Sequence, residues 1–252
     1  MKPISIHPLE KEIRIRFSGN KVKLPEMLNQ EIEKHWQGLI SNNPKLFNGE
    51  VFTVTNVSET DKTINVDIDE TNYAYYLYDI RRNGPGPSGI RLIHSSVIPI
   101  TSDSKILIGS MNDHTKLPGN VQFCGGGLDF DDIKDNEVDI DHNTKKELGE
   151  ELGINSSNTQ VVESLKKSFI KFGGYTDTIV VYYILRLNIT AEDFQNRYDK
   201  FVEYLKTKEE LPEFKKIFVI DFKTQELEKF VVQHADHLEE AVPDIFRMIS
   251  VE

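Results

Sequence analysis

Residues 146–154, KELGEELGI, place Glu147, Glu150 and Glu151 at relative positions i, i+3 and i+4. On a helix these side chains share one face, because the turn repeats about every 3.6 residues. Three anions crowded along one face repel one another unless a cation sits among them. Oxygen-rich clusters of this kind suit Mg2+ or Mn2+. Leu148 and Leu152 are four apart and can anchor the adjoining face in a core. Gly153 stands where a helix commonly stops. A solvated acidic face on a surface helix is the simpler reading of any Glu-rich run. The upstream segment Phe123-Cys124-Gly125-Gly126-Gly127-Leu128-Asp129 argues against it here. Consecutive glycines let the backbone turn sharply and approach a ligand closely. A glycine turn, a loop and a carboxylate helix together can hold a metal-bound phosphate chain.

These residues resemble the Nudix box, whose pattern is G-x5-E-x7-R-E-U-x-E-E-x-G-U with U apolar. The stretch 146–154 matches its second half except that Lys146 replaces Arg, and Gly125-Gly126 matches the glycine pair at its start. The spacing departs: 19 residues lie between Gly126 and Lys146 where the pattern has 13, so six extra fall in the loop 131–141. The isolated Glu of the pattern falls on Asp132 counted from the glycines, or on Val138 counted from the helix. The resemblance implies an α/β/α sandwich, dependence on Mg2+ or Mn2+, and hydrolysis of a phosphoanhydride in a nucleoside diphosphate linked to another moiety. It implies that Glu150 and Glu151 bind metal and that Glu147 is either ligand or base, with Gly125, Gly126 and Gly127 beside the substrate. Lys146 keeps a charge but loses the planar fork by which Arg orients a carboxylate. The family often draws a further carboxylate from outside the box, and Glu209, Glu210 and Glu213 are candidates.

Composition fits such an enzyme. A chain of 252 residues can bury a sizeable core. Its net charge of −11 argues against nonspecific binding to nucleic acid or an anionic membrane surface. A polyphosphate substrate stays compatible, because a divalent metal reverses the local sign. Cys124 is the lone cysteine, which excludes an intrachain disulfide and suits a reducing, cytoplasmic setting. The residues 1–8 lack the apolar core of a signal peptide, and the apolar run 179–185 is too short to span a bilayer.

The chain reads as two parts, with the break at Asn83-Gly84-Pro85-Gly86-Pro87-Ser88-Gly89. Residues 1–88 form a small α+β accessory domain: a strand at 13–17, a helix at 25–40, and a hairpin of 51–57 with 63–68. Residues 89–252 form the Nudix domain. Its strands are expected at 90–99, 105–110, 161–172, 178–187 and 217–222, and its helices at 190–206, 225–233 and 236–249 around the acidic helix.

The first part carries a second resemblance, to the UDP-sugar (UDP-glucose) diphosphatase branch of the Nudix hydrolases. It rests on Ile32-Glu33-Lys34-His35-Trp36, on Asn43-Pro44-Lys45-Leu46-Phe47-Asn48-Gly49, on Phe52-Thr53-Val54, and on Thr71-Asn72-Tyr73 with Tyr76-Leu77. It implies cleavage of UDP-glucose to UMP and glucose 1-phosphate, an expanded box loop, a substrate-shaping or dimer-forming role for the first domain, and Trp36 and Phe47 as its anchors. ADP-ribose, other sugar nucleotides and a nucleotide-sensing domain without catalysis stay open. Arg81, Arg82 and Arg91 flank the linker, where they can meet phosphate or sugar. Tyr73, Tyr75, Tyr76 and Tyr78 can stack on a base, but their alternation reads as a half-buried strand serving packing. His234 and His237 lack a third metal ligand nearby, and Cys124 has no catalytic role.

Overall fold

The computed structural model describes residues 2–44, 46–80, 86–115 and 117–250. In chain order the elements are β1 (Lys2–Pro8), β2 (Glu12–Lys21), α1 (Glu26–Asn42), β3 (Glu50–Glu59), β4 (Thr63–Asn72), α2 (Tyr73–Ile80), β5 (Ile93–Ile100), β6 (Lys105–Met111) and β7 (Val121–Gln122). A 3-10 turn (Phe130–Asp132) follows, then β8 (Ile133–Lys134), β9 (Glu137–Val138), α3 (Ile140–Leu152), β10 (Val162–Gly174), β11 (Ile179–Leu187), α4 (Ala191–Thr207), β12 (Phe214–Asp221), α5 (Thr224–His234) and α6 (Val242–Ile249). The fold is mixed α/β with two sheets, the class expected. None of its described helices is long and apolar enough to cross a membrane.

Two compact units emerge. The first gathers residues 1–94, 127–143 and 170–180. It contains a five-stranded sheet in the order β3-β4-β2-β9-β8. The expected hairpin is present: β3 and β4 are antiparallel, with Val51 opposite Thr71 and Val57 opposite Val66. β2 runs parallel to β4, placing Ile13, Ile15 and Phe17 opposite Ile64, Val66 and Ile68. Alternation along both strands buries Ile13, Ile15, Ile64, Val66 and Ile68. The other edge of β2 pairs with β9, Ile15 opposite Val138. The expanded box loop is therefore no open loop: its centre is the hairpin β8–β9, turned by Asp135 and Asn136 at φ 52° and 67°. Two successive positive φ values match the strand twist in a two-residue turn, and Asp and Asn tolerate them.

Beside this sheet's strands in the first unit, α1 and α2 share a core of Ile32, Trp36, Tyr73, Ala74 and Tyr78. Two expectations are corrected here. The tyrosine segment is a helix, not a strand, because Asn48 Oδ1 and Asn72 Oδ1 accept from the N–H groups of Ala74 and Tyr75 and satisfy its first turn. Phe47 is 80% exposed and anchors nothing, whereas Trp36 is buried. Lys45, Arg81, Arg82 and the linker residues Asn83, Gly84 and Pro85 lie outside the described residues.

The second unit gathers residues 95–126, 144–169 and 181–252. Its strands follow the order β10-β11-β5-β6-β12, with β7 on β6. β6 and β12 are antiparallel, Leu107 opposite Val219. β11 is buried at every residue but Arg186, which fits its continuous apolar sequence and central place. Thr190 caps α4 by accepting from Asp193 N–H. The last helix begins at Val242 rather than 236: residues 235–241 run through turns, and Leu238 bridges Val121, whose backbone bonds His237 O and Glu239 N–H. Pro243 then opens α6, which buries Val242, Ile245, Phe246 and Ile249.

Candidate active site

The acidic run lies on α3 as expected. Leu148 and Leu152 are buried, which fixes the roll of the helix about its axis. That roll buries Glu151, half-buries Glu147 and leaves Glu150 exposed. Gly153, at φ 65°, ends the helix; its N–H bonds Gly149 O, and the N–H of Ile154 reaches Leu148 O. Orphan carbonyls of the last turn are thereby satisfied.

The glycine turn meets the helix through these carboxylates. The N–H of Gly125 donates to Glu151 Oε2 at 2.9 Å. Gly126 faces the other carboxylate: a Cβ there would overlap Glu147 Oε1 and lie 2.5 Å from Cδ. The turn is fixed to β5, since Val97 N–H donates to Cys124 O at 2.7 Å and Ser95 N–H to Gly126 O at 3.2 Å. Glu147 and Glu151 thus lie under two successive glycines that a side chain would displace.

Burial pushes the Glu151 carboxyl well above the usual range, and the Glu147 charge pushes the same way; the Gly125 N–H and the Cys124 thiol oppose this, and Glu213 adds to the rise. Glu213 is thus the loop carboxylate whose charge acts on the box, among the three expected, while Glu210 N–H caps α4 at Leu205 O. The Cys124 thiol is buried and raised by that burial, with Glu151 next in effect, so it is a poor nucleophile. Tyr198 is raised chiefly by burial, and its hydroxyl donates to Phe214 O at 3.0 Å.

Among the described residues no three His, Cys, Asp or Glu groups converge closely enough to hold a metal by themselves. The donor chemistry nonetheless fits a hard divalent cation. Glu151 is a buried carboxylate beside a like charge, and no described Lys or Arg pairs with it. Mg2+ characteristically takes one or two carboxylates and fills its remaining positions with water and substrate phosphate.

Other expected site residues fall in the first unit. Gly127 is exposed, and its carbonyl accepts from Asn143 Nδ2 at 2.9 Å. Of the two positions for the isolated Glu of the pattern, Val138 is spent on strand pairing, and Asp132 is a buried carboxylate contacting Asn143 Nδ2 and His142 Nδ1 at 3.1 and 3.0 Å. His142 escaped sequence reasoning, because its partner lies across the β8–β9 hairpin. Arg91 donates from Nε to Asp177 O at 3.1 Å. Arg81 lies outside the described residues. His234 packs its ring on Phe218 and Phe230, centroids 4.7 and 4.3 Å away, and burial lowers its pKa.

No family model matches the chain, and no curated protein matches it. Solved structures similar to it include a bifunctional NMN adenylyltransferase/ADP ribose pyrophosphatase from Francisella tularensis, at 17% identity and a TM-score of 0.42, covering 71% of this chain and 46% of that one. A MutT structure from work on Aliivibrio salmonicida and Vibrio cholerae matches at 15% identity and a TM-score of 0.36, covering 64% of this chain and 98% of that one. A NUDIX hydrolase from Nitrosomonas europaea matches at 10% identity and a TM-score of 0.36, covering 60% and 83%. At these scores the likenesses carry no argument about function, which rests on the residues themselves.

Proposed function

We propose that this chain is a Nudix-type, divalent-metal-dependent hydrolase of a nucleoside diphosphate linked to another moiety, with UDP-glucose as the leading substrate. One observation carries the reading: the carboxylates of Glu147 and Glu151 lie beneath consecutive glycines, Glu151 buried and held by Gly125 N–H. Burying a carboxylate beside another anion is costly. A site that must receive a cation and a phosphate chain explains that cost, whereas a solvated helix face would leave Glu151 exposed.

In this reading Glu147, Glu150 and Glu151 would contribute carboxylates to Mg2+ or Mn2+, with water and phosphate oxygens filling the other positions, and the metal would neutralise the diphosphate and acidify a water molecule. The glycine turn gives the phosphate chain a wall without side chains. Water adds to one phosphorus in line, the bond to the bridging oxygen breaks, and the water proton passes to a carboxylate. Glu147 is ligand or base. UDP-glucose yields UMP and glucose 1-phosphate. Glu213 completes the acidic rim. Residues 1–88 serve as an accessory domain that shapes substrate choice.

The test is release of UMP and glucose 1-phosphate from UDP-glucose with Mg2+, with Mn2+ and with EDTA, alongside ADP-ribose and other sugar nucleotides. Metal-dependent release supports the reading, and the panel ranks the substrates. Binding of these compounds with no turnover under any metal would replace it with a sensing domain.

A further inference from the structure

The turn between β10 and β11 carries a second cluster of charge, wholly within the first unit. Asp177 closes that turn at φ 51°, in the left-handed region, and its side chain is 8% exposed. Non-glycine residues held there cost free energy that the surroundings must supply, and such positions gather at ligand sites. One carboxylate oxygen, Oδ2, receives Lys2 Nζ at 2.5 Å and has Arg91 Nε at 3.6 Å. The other, Oδ1, is buried and has no hydrogen-bond partner among the described residues. Arg91 uses Nε on Asp177 O, and among the described residues its two terminal amino groups make no hydrogen bond. Next to Asp177, Thr178 Oγ1 accepts from the fully buried Lys171 Nζ at 2.9 Å.

The ligand chemistry follows from what this arrangement offers. A buried carboxylate oxygen requires a donor. A metal cation is disfavoured by Lys2 and Arg91. A ligand ammonium is disfavoured by Lys2 on the same carboxylate, which leaves a neutral donor such as a hydroxyl. With Asp177 counted, the Arg91 fork and the Lys2 ammonium leave one net positive charge, which favours an anion, and a guanidinium fork suits phosphate. We infer that Asp177, Arg91 and Lys2 form a binding site for a phosphorylated polyol, its hydroxyl on Asp177 Oδ1 and its phosphate on Arg91 and Lys2. The assignment stands whether or not the hydrolase reading holds, since none of these residues belongs to the box.

Calorimetric titration of the full chain in EDTA tests it, with ribose 5-phosphate, inorganic phosphate, ribose and alanine as probes. Ribose 5-phosphate lacks a phosphoanhydride, and EDTA withholds the metal that the box carboxylates need, so hydrolase turnover does not interfere. Ribose 5-phosphate should bind more tightly than phosphate, and ribose and alanine should bind least. Lys2→Gln, at a side chain 62% exposed, should keep the melting temperature. It should weaken ribose 5-phosphate by about tenfold, the loss of one charge-assisted contact. Asp177→Asn should narrow the preference for ribose 5-phosphate over phosphate; if that variant does not fold, the wild-type ranking and Lys2→Gln decide. No heat with ribose 5-phosphate, which would mean a water satisfies Oδ1, overturns the inference. So does an unchanged affinity in Lys2→Gln, or alanine binding as tightly as ribose 5-phosphate.

Discussion

Gly125 and Gly126 are adjacent, yet alanine should fail at each for a different reason. At Gly125 the backbone has φ 149°, and an added Cβ would overlap the Ser95 carbonyl oxygen and lie 2.7 Å from Ser96 Cα. Both neighbours are backbone of β5, held by the ladder from Ser95 and Val97 to the turn, and neither can move aside cheaply. Backbone strain of about 1–3 kcal/mol and overpacking of similar size add to a loss of roughly 2–6 kcal/mol for Gly125→Ala. For a domain of this size that lowers the melting temperature by on the order of 4–24 °C. At Gly126 the obstacle is the far end of a flexible side chain, with Glu147 Cδ 2.5 Å and Oε2 2.7 Å from the new Cβ. The far end of a side chain gives way more cheaply than backbone, so Gly126→Ala should cost about 1 kcal/mol, less than Gly125→Ala. The Glu147 carboxylate then leaves the place where metal and phosphate would meet it, and a displacement near 1 Å costs about 100-fold in rate. Thermal melts in EDTA and initial rates on UDP-glucose with saturating Mg2+ separate the two effects. A fully active Gly126→Ala protein would refute the placement of Glu147 as functional. A Gly125→Ala protein as stable as the wild type would refute the close approach of the turn to β5.

Glu151→Gln should keep the fold and lose most turnover; near-normal rates with an unchanged melt would remove Glu151 from the metal site. In EDTA the raised Glu151 pKa makes that residue's contribution to stability greatest below its ordinary value of 4.5, and the contribution is lost as pH rises through the folded value. Melts from pH 4 upward should therefore fall more steeply for wild type than for Glu151→Gln, and parallel curves would contradict the burial argument. Mg2+ at roughly 100 times its Kd should stabilise the protein by about 2.7 kcal/mol, read as a higher melting temperature; no shift, with activity unaffected by EDTA, ends the metal proposal. Trp36→Ala should cost about 3–5 kcal/mol in urea unfolding while Phe47→Ala stays within about 0.5 kcal/mol, and equal losses would show that exposed Phe47 packs after all.

Much of the fold was legible because the signals are local. Alternation in 13–17 and 63–68, helical spacing around Ile32 and Trp36, and the apolar run of β11 each follow from one element's burial, and each element is present. What failed depends on partners distant in sequence. The tyrosine segment alternates like a strand, yet the amide of Asn48, 26 residues before Ala74, helps start a helix there. The segment 236–241 has helical spacing, but the backbone of Val121 holds it in turns around a single bridge at Leu238. Six extra box residues read as loop, because nothing local says that β9 adds to β2 more than 100 residues earlier.

The same division runs through the candidate site. Spacing on one helix gave Glu147, Glu150 and Glu151 a common face, but it cannot say how deeply that face is buried. Leu148 and Leu152 decide that by fixing the roll of α3, and the result is unequal: Glu151 is buried, Glu150 exposed. Nor could spacing choose among Glu209, Glu210 and Glu213. The chain approaches β12 there, where Glu213 O accepts from Asn112 N–H, so the residue next to Phe214 is held while its predecessors cap α4. A carboxylate gains influence over a buried neighbour only where the backbone fixes it within reach in a poorly solvated place. Glu213, half-buried, adds the smallest of the named contributions to the raised Glu151, Cys124 and Tyr198, behind burial in each case. The helix is announced by the sequence, whereas the place of Glu213 follows from the pairing of β12 with β6, which no local signal predicts.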